Sequence, residues 1–423
     1  MRLRLRLQLR RSRRRHRADR SGNARDRRLL ISEGLFSGTA TATHQTFFVT
    51  LLVQLGVSNG ALGLFTAFNG LLANVSGLAG GKVARRLPNR QLLAALSGGI
   101  GRLGFLAIAL LLIVRGSQAS TTLLIAIALA SATLIGLGLP ILTSMVADEV
   151  EARERGAFFA NRLLASGVGT AVVALGIAVL LKRLAFPHGF TVAYLLAAGA
   201  GAGSMLAILQ LRRTPPPASS GARGTSQAAG PISGQMWRFA IATFVLWFGA
   251  AMVAPILTPY MLDNLGASPS FMGVTTAVNA IVALSVQRFW GRRVDRAGAY
   301  SVLRICTVAV SALPVLYALT PTYWFALGFE VLSGVGWSGY ALGNLNFAME
   351  VAPVAQRARY AAVANAAAGV GAFLGPLTAA LLVTFLPVRL VLISAGLVRL
   401  AAALALRAAR HAERAVVPAA AAD

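Results

Sequence analysis

Runs of about 20 apolar residues recur along almost the whole chain, and they limit its fold more than any other feature. About 20 helical residues span the hydrocarbon core of a bilayer. Within lipid, every backbone N–H and C=O must find its partner inside its own segment, so such runs form helices. Hydrophobic residues make up 56% of the chain and charged residues 13%. The sequence therefore predicts an all-α membrane protein with twelve transmembrane helices, near residues 30–56, 60–81, 91–114, 121–147, 157–181, 189–211, 237–262, 269–290, 299–320, 322–347, 360–385 and 387–408.

Arginine and lysine residues predict the orientation. Most of those between spans lie in the even-numbered connections, at Lys82, Arg85, Arg86, Arg90, Arg153, Arg155, Arg212, Arg213, Arg223, Arg292, Arg293, Arg296, Arg357 and Arg359. By the positive-inside rule, these connections and both termini are cytoplasmic. The net charge of +27 then reflects topology, and no nucleic-acid partner is expected. The Ala, Gly and Arg bias favours a bacterial chain, so we expect a multi-pass protein of the bacterial cytoplasmic membrane.

Polar segments divide the chain into two halves. The Arg-rich residues 1–28 lack the apolar core of a signal peptide. We expect them to be a disordered cytoplasmic tail that contacts anionic lipids, or to lie upstream of the native start site. Residues 213–235, rich in Pro, Ser and Gly, are expected to form a flexible cytoplasmic linker. These segments leave a six-helix bundle at 29–212, another at 236–408 and a cytoplasmic tail at 409–423.

A repeated phrase relates the two halves. LGVSNGALGLFTAFNG at residues 55–70 and LGASPSFMGVTTAVNA at residues 265–280 share seven identical positions at a constant offset. A second match links RERGAFFAN, from Arg153, with RARYAAVAN, from Arg357. Because each half has an even number of spans, the two repeats share one orientation about an axis along the membrane normal.

The segment GRRVDRAG resembles the loop signature of the major facilitator superfamily, which stands after the second span and again after the eighth. Four residues carry the later copy, Gly291, Asp295, Arg296 and Gly298. In the earlier copy Gly81 and Arg86 fit, but Arg85 replaces the aspartate and Pro88 the second glycine. The resemblance implies the superfamily fold, two six-helix bundles with pseudo-two-fold symmetry, and transport by alternating access.

The resemblance also implies a conformational role for the loop charges. In the superfamily, the loop aspartate and arginine contact helix ends at the cytoplasmic face and help to hold the outward-facing state. Asp295 is expected to cap a helix start, where an anion is favoured, and Arg296 to pair with Glu350. By the same logic, Arg86 has two candidate partners after the fourth span, Asp148 and Glu149. The alternative is that these charges only set topology.

Three polar residues of the first span are candidates for a binding site. Glu33 and His44 lie eleven residues apart, so they share a helix face. The resemblance implies that the first span lines the central cavity, which makes His44 and Gln45 candidate substrate contacts. Glu33 has a second interpretation, an ion pair with Arg27 or Arg28.

Further candidates lie in other spans, where ionisable residues are costly and often functional. Glu330 is the deepest carboxylate, and it either carries a proton or makes a structural hydrogen bond. Asn69 and Asn279 occupy equivalent repeat positions and could face each other across the cavity, and Trp337 could line an apolar part of it. Two nearly equivalent arginines lie near enough to the cytoplasmic surface to snorkel, Arg102 and Arg304.

The sequence contains no phosphate loop, nucleotide fingerprint or metal-ligand cluster, so we expect neither an enzyme nor a cofactor or metal. Our interpretation is a monomeric secondary transporter of a small molecule, with proton-coupled efflux of a drug-like or amphipathic compound as its activity. Two alternatives stay open. One is proton-coupled uptake of a polar nutrient, and the other is a scaffold or sensor that keeps the fold without transport.

Overall fold

The computed structural model describes residues 2–84, 89–149, 154–211, 232–353 and 356–416. Within these residues the chain is helical, without strands, and the prediction of an all-α fold is confirmed. The twelve long helices are α1 (Arg2–Gln54), α2 (Asn59–Ala84), α3 (Arg90–Arg115), α4 (Thr121–Glu149), α5 (Arg155–Arg183), α6 (His188–Leu209), α7 (Gly234–Pro259), α8 (Pro269–Ala297), α9 (Ala299–Leu319), α10 (Phe325–Val351), α11 (Arg357–Leu382) and α12 (Val388–Val416).

Ten of these helices are long and apolar enough to cross a membrane, so the protein is a multi-pass membrane protein. Helices α1 and α10 are not among these ten, because polar residues such as His44, Gln45 and Glu330 interrupt their apolar stretches. Both still pack within the bundles, α1 against α5 and α6, and α10 against α8 and α9.

Helix α1 begins at Arg2, so the backbone of the Arg-rich segment is helical where its composition predicted disorder. Arg, Leu and Gln are good helix formers, and their run continues into the first span without a proline. Contact of this segment with lipid stays a prediction.

Each half packs as one bundle with the same pattern. In the first, α3 packs against α4 and α6, and α2 against α4. In the second, the corresponding α9 packs against α10 and α12, and α8 against α10. The repeat found in the sequence is therefore a repeat of helix packing.

The two bundles touch along α5 and α8 and along α2 and α11. We call the side with the Arg-rich connections the basic face and the other side the opposite face. At the opposite face, a Cβ on Gly63 would lie 2.5 Å from Ala380 Cβ, and Gly273 lies equally close to the backbone of α5. Near the basic face, no neighbour among the described residues lies within 4 Å of a Cβ built on Gly81 or Gly291. The bundles therefore make close contacts toward the opposite face.

Candidate functional site

A cavity of about 480 Å³ lies inside the first bundle, between α1, α2, α3 and α4. Its polar lining residues are Ser37, Thr41, His44, Gln45, Asn69, Asn74, Arg102 and Ser131. Its apolar wall includes Phe105, Ile135, Leu139 and Pro140. Polar groups from four helices thus converge on one space within a membrane-spanning bundle. We call this space the first cavity.

A polar stripe on α1 joins the first cavity to a second one. Ser37, Thr41 and Gln45 recur every four residues, so they share one helix face, and they line both cavities. The second cavity has a volume of about 250 Å³ and includes Thr276 of α8. The hydroxyl oxygens of Thr276 and Thr46 lie 3.2 Å apart. The polar surface of α1 therefore reaches the boundary between the two bundles.

Arg102 is 6% exposed and lines the first cavity. Its guanidinium donates to Ser37 Oγ at 2.6 Å and to the Gly98 carbonyl at 3.2 Å. The prediction that Arg102 snorkels is wrong, because it lies twelve residues after Arg90, about 18 Å along the axis of α3. Arg304, which lies only five residues into α9, is exposed.

Glu33 is fully buried on α1 and pairs with Arg162 of α5. Its other oxygen accepts a hydrogen bond from Ser204 Oγ of α6 at 3.1 Å. The predicted pairing with the arginines at the start of the span is wrong, since Arg27 pairs with Glu154 instead. Arg27 lies six residues from Glu33 and therefore on another face of α1.

His44 forms part of the wall of the first cavity. Its Nδ1 lies 3.3 Å from the hydroxyl of Tyr194. Its ring stacks on Phe105, with centroids 5.0 Å apart, and lies 4.7 Å from the ring of Phe48. His44 and Gln45 thus border a cavity within the first bundle, and their contact with a solute stays a prediction.

Glu330 belongs to a hydrogen-bonded cluster in the second bundle. The Tyr317 hydroxyl donates to Glu330 Oε1 at 2.8 Å, and Asn279 Nδ2 donates to Oε2 at 2.8 Å. Asn279 also donates to Ser333 Oγ at 2.9 Å. We call these four residues the Glu330 cluster. It ties together α8, α9 and α10.

The equivalent asparagines Asn69 and Asn279 do not face each other, contrary to the prediction. The amide of Asn279 is taken up by the Glu330 cluster. Asn69 lines the first cavity, and its buried Oδ1 has no partner among the described residues. The physical reason is that only the second bundle places a carboxylate beside its asparagine.

Trp337 lies in the second bundle and lines neither cavity. Its ring centroid is 5.7 Å from that of Trp247 and 5.5 Å from that of Tyr340. The guanidinium carbon of Arg399 lies 5.9 Å from the Trp337 ring. Trp337 thus packs within an aromatic group. It was predicted to line an apolar cavity, but it lines neither the first nor the second cavity.

The later loop signature lies at the basic face. Asp295 and Arg296 are exposed, and neither forms an ion pair or side-chain hydrogen bond with the described residues. Glu350 Oε1 accepts from the backbone N–H of Ala299, the first residue of α9, at 3.4 Å. Glu350 is therefore the cap of α9 and not the partner of Arg296. Gly298, with φ of +77°, turns the chain between α8 and α9.

Other predicted residues fall outside the described part of the chain. These are Arg85, Arg86, most of the linker, and the side chains of Asp148 and Glu149. Among the residues that are described, no three His, Cys, Asp or Glu side chains come together as a metal site would require.

Residues 239–422 match the sequence profile of the Major Facilitator Superfamily. The nucleoside transporter NupG is similar in structure, with 14% identity and a TM-score of 0.73, over 92% of this chain and 99% of that chain. A bacterial homologue of the human lysosomal transporter Spinster, inward-facing and occupied, has 15% identity and a TM-score of 0.68, over 91% and 96%. The peptide transporter POT has 14% identity and a TM-score of 0.70, over 94% and 98%. Residues 239–422 therefore match the major facilitator superfamily in sequence, and the whole chain has the fold of these transporters.

The superfamily profile matches the half that carries the better-preserved loop signature, in which Ala299 and Tyr300 replace the trailing basic residues. No curated protein matches the chain in sequence. The first bundle, where Arg85 and Pro88 replace signature residues, lies outside the profile match and shares only the fold of these transporters. The solved structures that this chain resembles include transporters of nucleosides and of peptides.

Sequence reasoning missed the partners of the buried carboxylates. Arg162 and Ser204 lie 129 and 171 residues away from Glu33, and Tyr317 lies 13 residues from Glu330. A single sequence carries no signal for such pairs. Arg102 was detectable, because its depth within an apolar run exceeds the reach of a snorkelling side chain.

Proposed function

We propose that this chain is a secondary transporter that carries a small polar solute across the membrane by alternating access. The observations that support the proposal are the first cavity, where polar groups from four helices converge, and the close contacts between the bundles toward the opposite face. Rocking of the two bundles would close the basic face and open the opposite one. The binding site of the solute would then become accessible from the other side of the membrane.

The polar groups in the lining of the first cavity favour a solute that carries polar groups of its own. Its polar side chains come from all four helices around it, and methionine is absent from its lining. Cavities that bind varied apolar compounds use flexible methionine and aromatic walls. The first cavity instead offers hydroxyl, amide and guanidinium groups at fixed positions.

Efflux of an amphipathic compound is a second candidate, and one observation favours it. An apolar groove of about 770 Å³ runs between α1, α5 and α6. Exposed side chains line it, among them Leu35, Phe36, Val172 and Leu196. A compound dissolved in the bilayer could enter such a groove from the lipid.

We further propose that the coupling ion is a proton carried by Glu330. A carboxylate that binds a proton turns one oxygen from an acceptor into a donor. The hydroxyl of Tyr317 now donates to Glu330, so protonation would force a new hydrogen-bond arrangement. Because the Glu330 cluster joins three helices, that change would alter their packing.

Proton release on solute binding tests this proposal. Amino acids, sugars, nucleosides and cationic dyes would be added to the detergent-purified protein and to Glu330→Gln. Asp263→Asn is the matched control, since it removes an exposed carboxylate at the opposite face. We expect one solute class to release protons from the wild type and the control but not from Glu330→Gln.

The other outcomes separate the two parts of the proposal. Solute binding without proton release from any variant would make Glu330 structural and leave transport standing. No binding, together with no exchange of labelled solute by proteoliposomes, would favour the scaffold alternative.

A further inference from the structure

The first cavity contains a buried cation without an anionic partner in the described part of the chain. Arg102 lines this cavity and is 6% exposed. No acidic side chain among the described residues lies within ion-pair distance of it. Its Nε is buried without a hydrogen-bond partner in the described part of the chain. A guanidinium has five N–H donors, so Arg102 retains free capacity.

The neighbouring charges do not supply the missing anion. Glu33 and Arg162 are the two charged groups that act electrostatically on Arg102. Glu33 is already bound to Arg162 and to Ser204. The three charged groups together carry one net positive charge. An uncompensated charge buried in a membrane-spanning bundle is costly, which indicates a functional role.

Arg399 is a buried arginine with a structural arrangement in the same chain. It is 4% exposed, and it donates to the backbone carbonyls of Val310 and Ala250 on two neighbouring helices. It lines none of the cavities described above. Arg102 donates to one carbonyl of its own helix and to one hydroxyl, and it borders an open space. Arg102 and Arg399 are buried to a similar extent, but only Arg102 of the two lines a described cavity.

We propose that the solute is an anion, and that its carboxylate or phosphate group binds Arg102 in the first cavity. This inference rests on the proposed transport function and names the class of its substrate. Guanidinium groups bind such oxyanions through paired, charge-assisted hydrogen bonds. The volume of about 480 Å³ suits a metabolite-sized molecule. Gln45, Asn69 and Asn74 would bind its neutral part.

Binding of matched solute pairs tests the inference. The probes are glutamate against glutamine, glucose 6-phosphate against glucose, and adenosine monophosphate against adenosine, so that the arms separate carboxylate from phosphate. Binding would be measured by calorimetry on the purified full chain. The variants are Arg102→Gln and Arg102→Lys, with Arg304→Gln as control because Arg304 is exposed at the nearly equivalent repeat position.

We expect an anionic probe to bind the wild type and Arg304→Gln, and its neutral partner to bind neither. Loss of one charge-assisted contact should weaken binding to Arg102→Gln roughly ten- to hundredfold. Arg102→Lys should retain part of the affinity.

A second readout separates binding from a structural role. Without solute, Arg102→Gln should unfold at the wild-type temperature or above it, because an uncompensated buried charge is removed. If Arg102 had a structural role, Arg102→Gln would instead lower the unfolding temperature. A lower unfolding temperature with unchanged solute affinity would overturn the inference.

Failure of the inference and failure of the transport proposal give different results. If only neutral or cationic solutes bind, or if Arg102→Gln binds the anion as the wild type does, the anion inference falls and transport stands. If the wild type neither binds nor exchanges any solute, both fall together.

Discussion

At the scale of single residues, burial decides what an ion pair contributes. Two ion pairs join α1 to α5 or to the residue that precedes it. The side chains of Glu33 and Arg162 are 0% and 22% exposed, and those of Arg27 and Glu154 are 30% and 53% exposed. Breaking a buried pair leaves an uncompensated charge and costs about 3–5 kcal/mol, whereas an exposed pair contributes about 0–1 kcal/mol.

We therefore expect Glu33→Gln to lower stability severely and Glu154→Gln to change it little. Thermal unfolding in detergent, followed by circular dichroism, measures both variants under one condition. The double variant Glu33→Gln with Arg162→Gln should recover part of the loss. Equal losses for the two single variants would contradict the assignment.

The equivalent asparagines make a second comparison between residues. Asn279→Ala removes the amide that donates to Glu330 and Ser333. Buried acceptors left without a donor cost about 1–3 kcal/mol, so this variant should unfold at a lower temperature than the wild type. Asn69→Ala removes a carbonyl that has no partner among the described residues, and its unfolding temperature should not change. A similar decrease in unfolding temperature in both variants would mean that both asparagines make stabilising contacts.

At the scale of helices, the sequence predicted position well and partners poorly. The apolar runs placed α3 and α9 correctly, because the length and hydropathy of a span depend on nearby residues alone. The role of Arg102 depends on Ser37, which lies on another helix, and on the open space between them. Contacts of this kind follow from the packing of whole helices.

The repeated glycines Gly63 and Gly273 give a prediction at this scale. A Cβ on Gly63 would meet Ala380 Cβ at 2.5 Å, so Gly63→Ala opposes closure at the opposite face. Overpacking costs about 1–3 kcal/mol, which would shift the balance of conformations roughly five- to hundredfold. Gly70→Ala is the control on the same helix, since a Cβ there meets no neighbour within 4 Å.

The measurement is labelling of a cysteine placed at Thr46 by a membrane-impermeant maleimide, after replacement of the native Cys306 by alanine. Labelling from the opposite face should be faster in Gly63→Ala and unchanged in Gly70→Ala. Equal rates in all variants would show that Gly63 does not limit opening.

At the scale of the whole molecule, the two copies of one bundle have diverged in their chemistry. The first copy holds an open polar cavity beside Arg102, and the second holds a carboxylate fixed by Tyr317 and Asn279. The repeat was visible in the sequence, because glycine and threonine recur at a constant offset. The division of the chemistry was not visible, because it depends on which polar residues the packed helices bring together.

Relative motion of the two bundles gives the last prediction. The hydroxyl oxygens of Thr46 on α1 and Thr276 on α8 lie 3.2 Å apart across the boundary between the bundles. Cysteines at both positions, with Cys306 replaced by alanine, should form a disulfide under mild oxidation. Alternating access requires the two bundles to separate along the boundary at Thr46 and Thr276. The disulfide should therefore stop solute exchange by proteoliposomes. Reduction should restore exchange to the level of the two single-cysteine variants. Exchange that continues at full rate with the disulfide formed would exclude a rocking motion about this boundary.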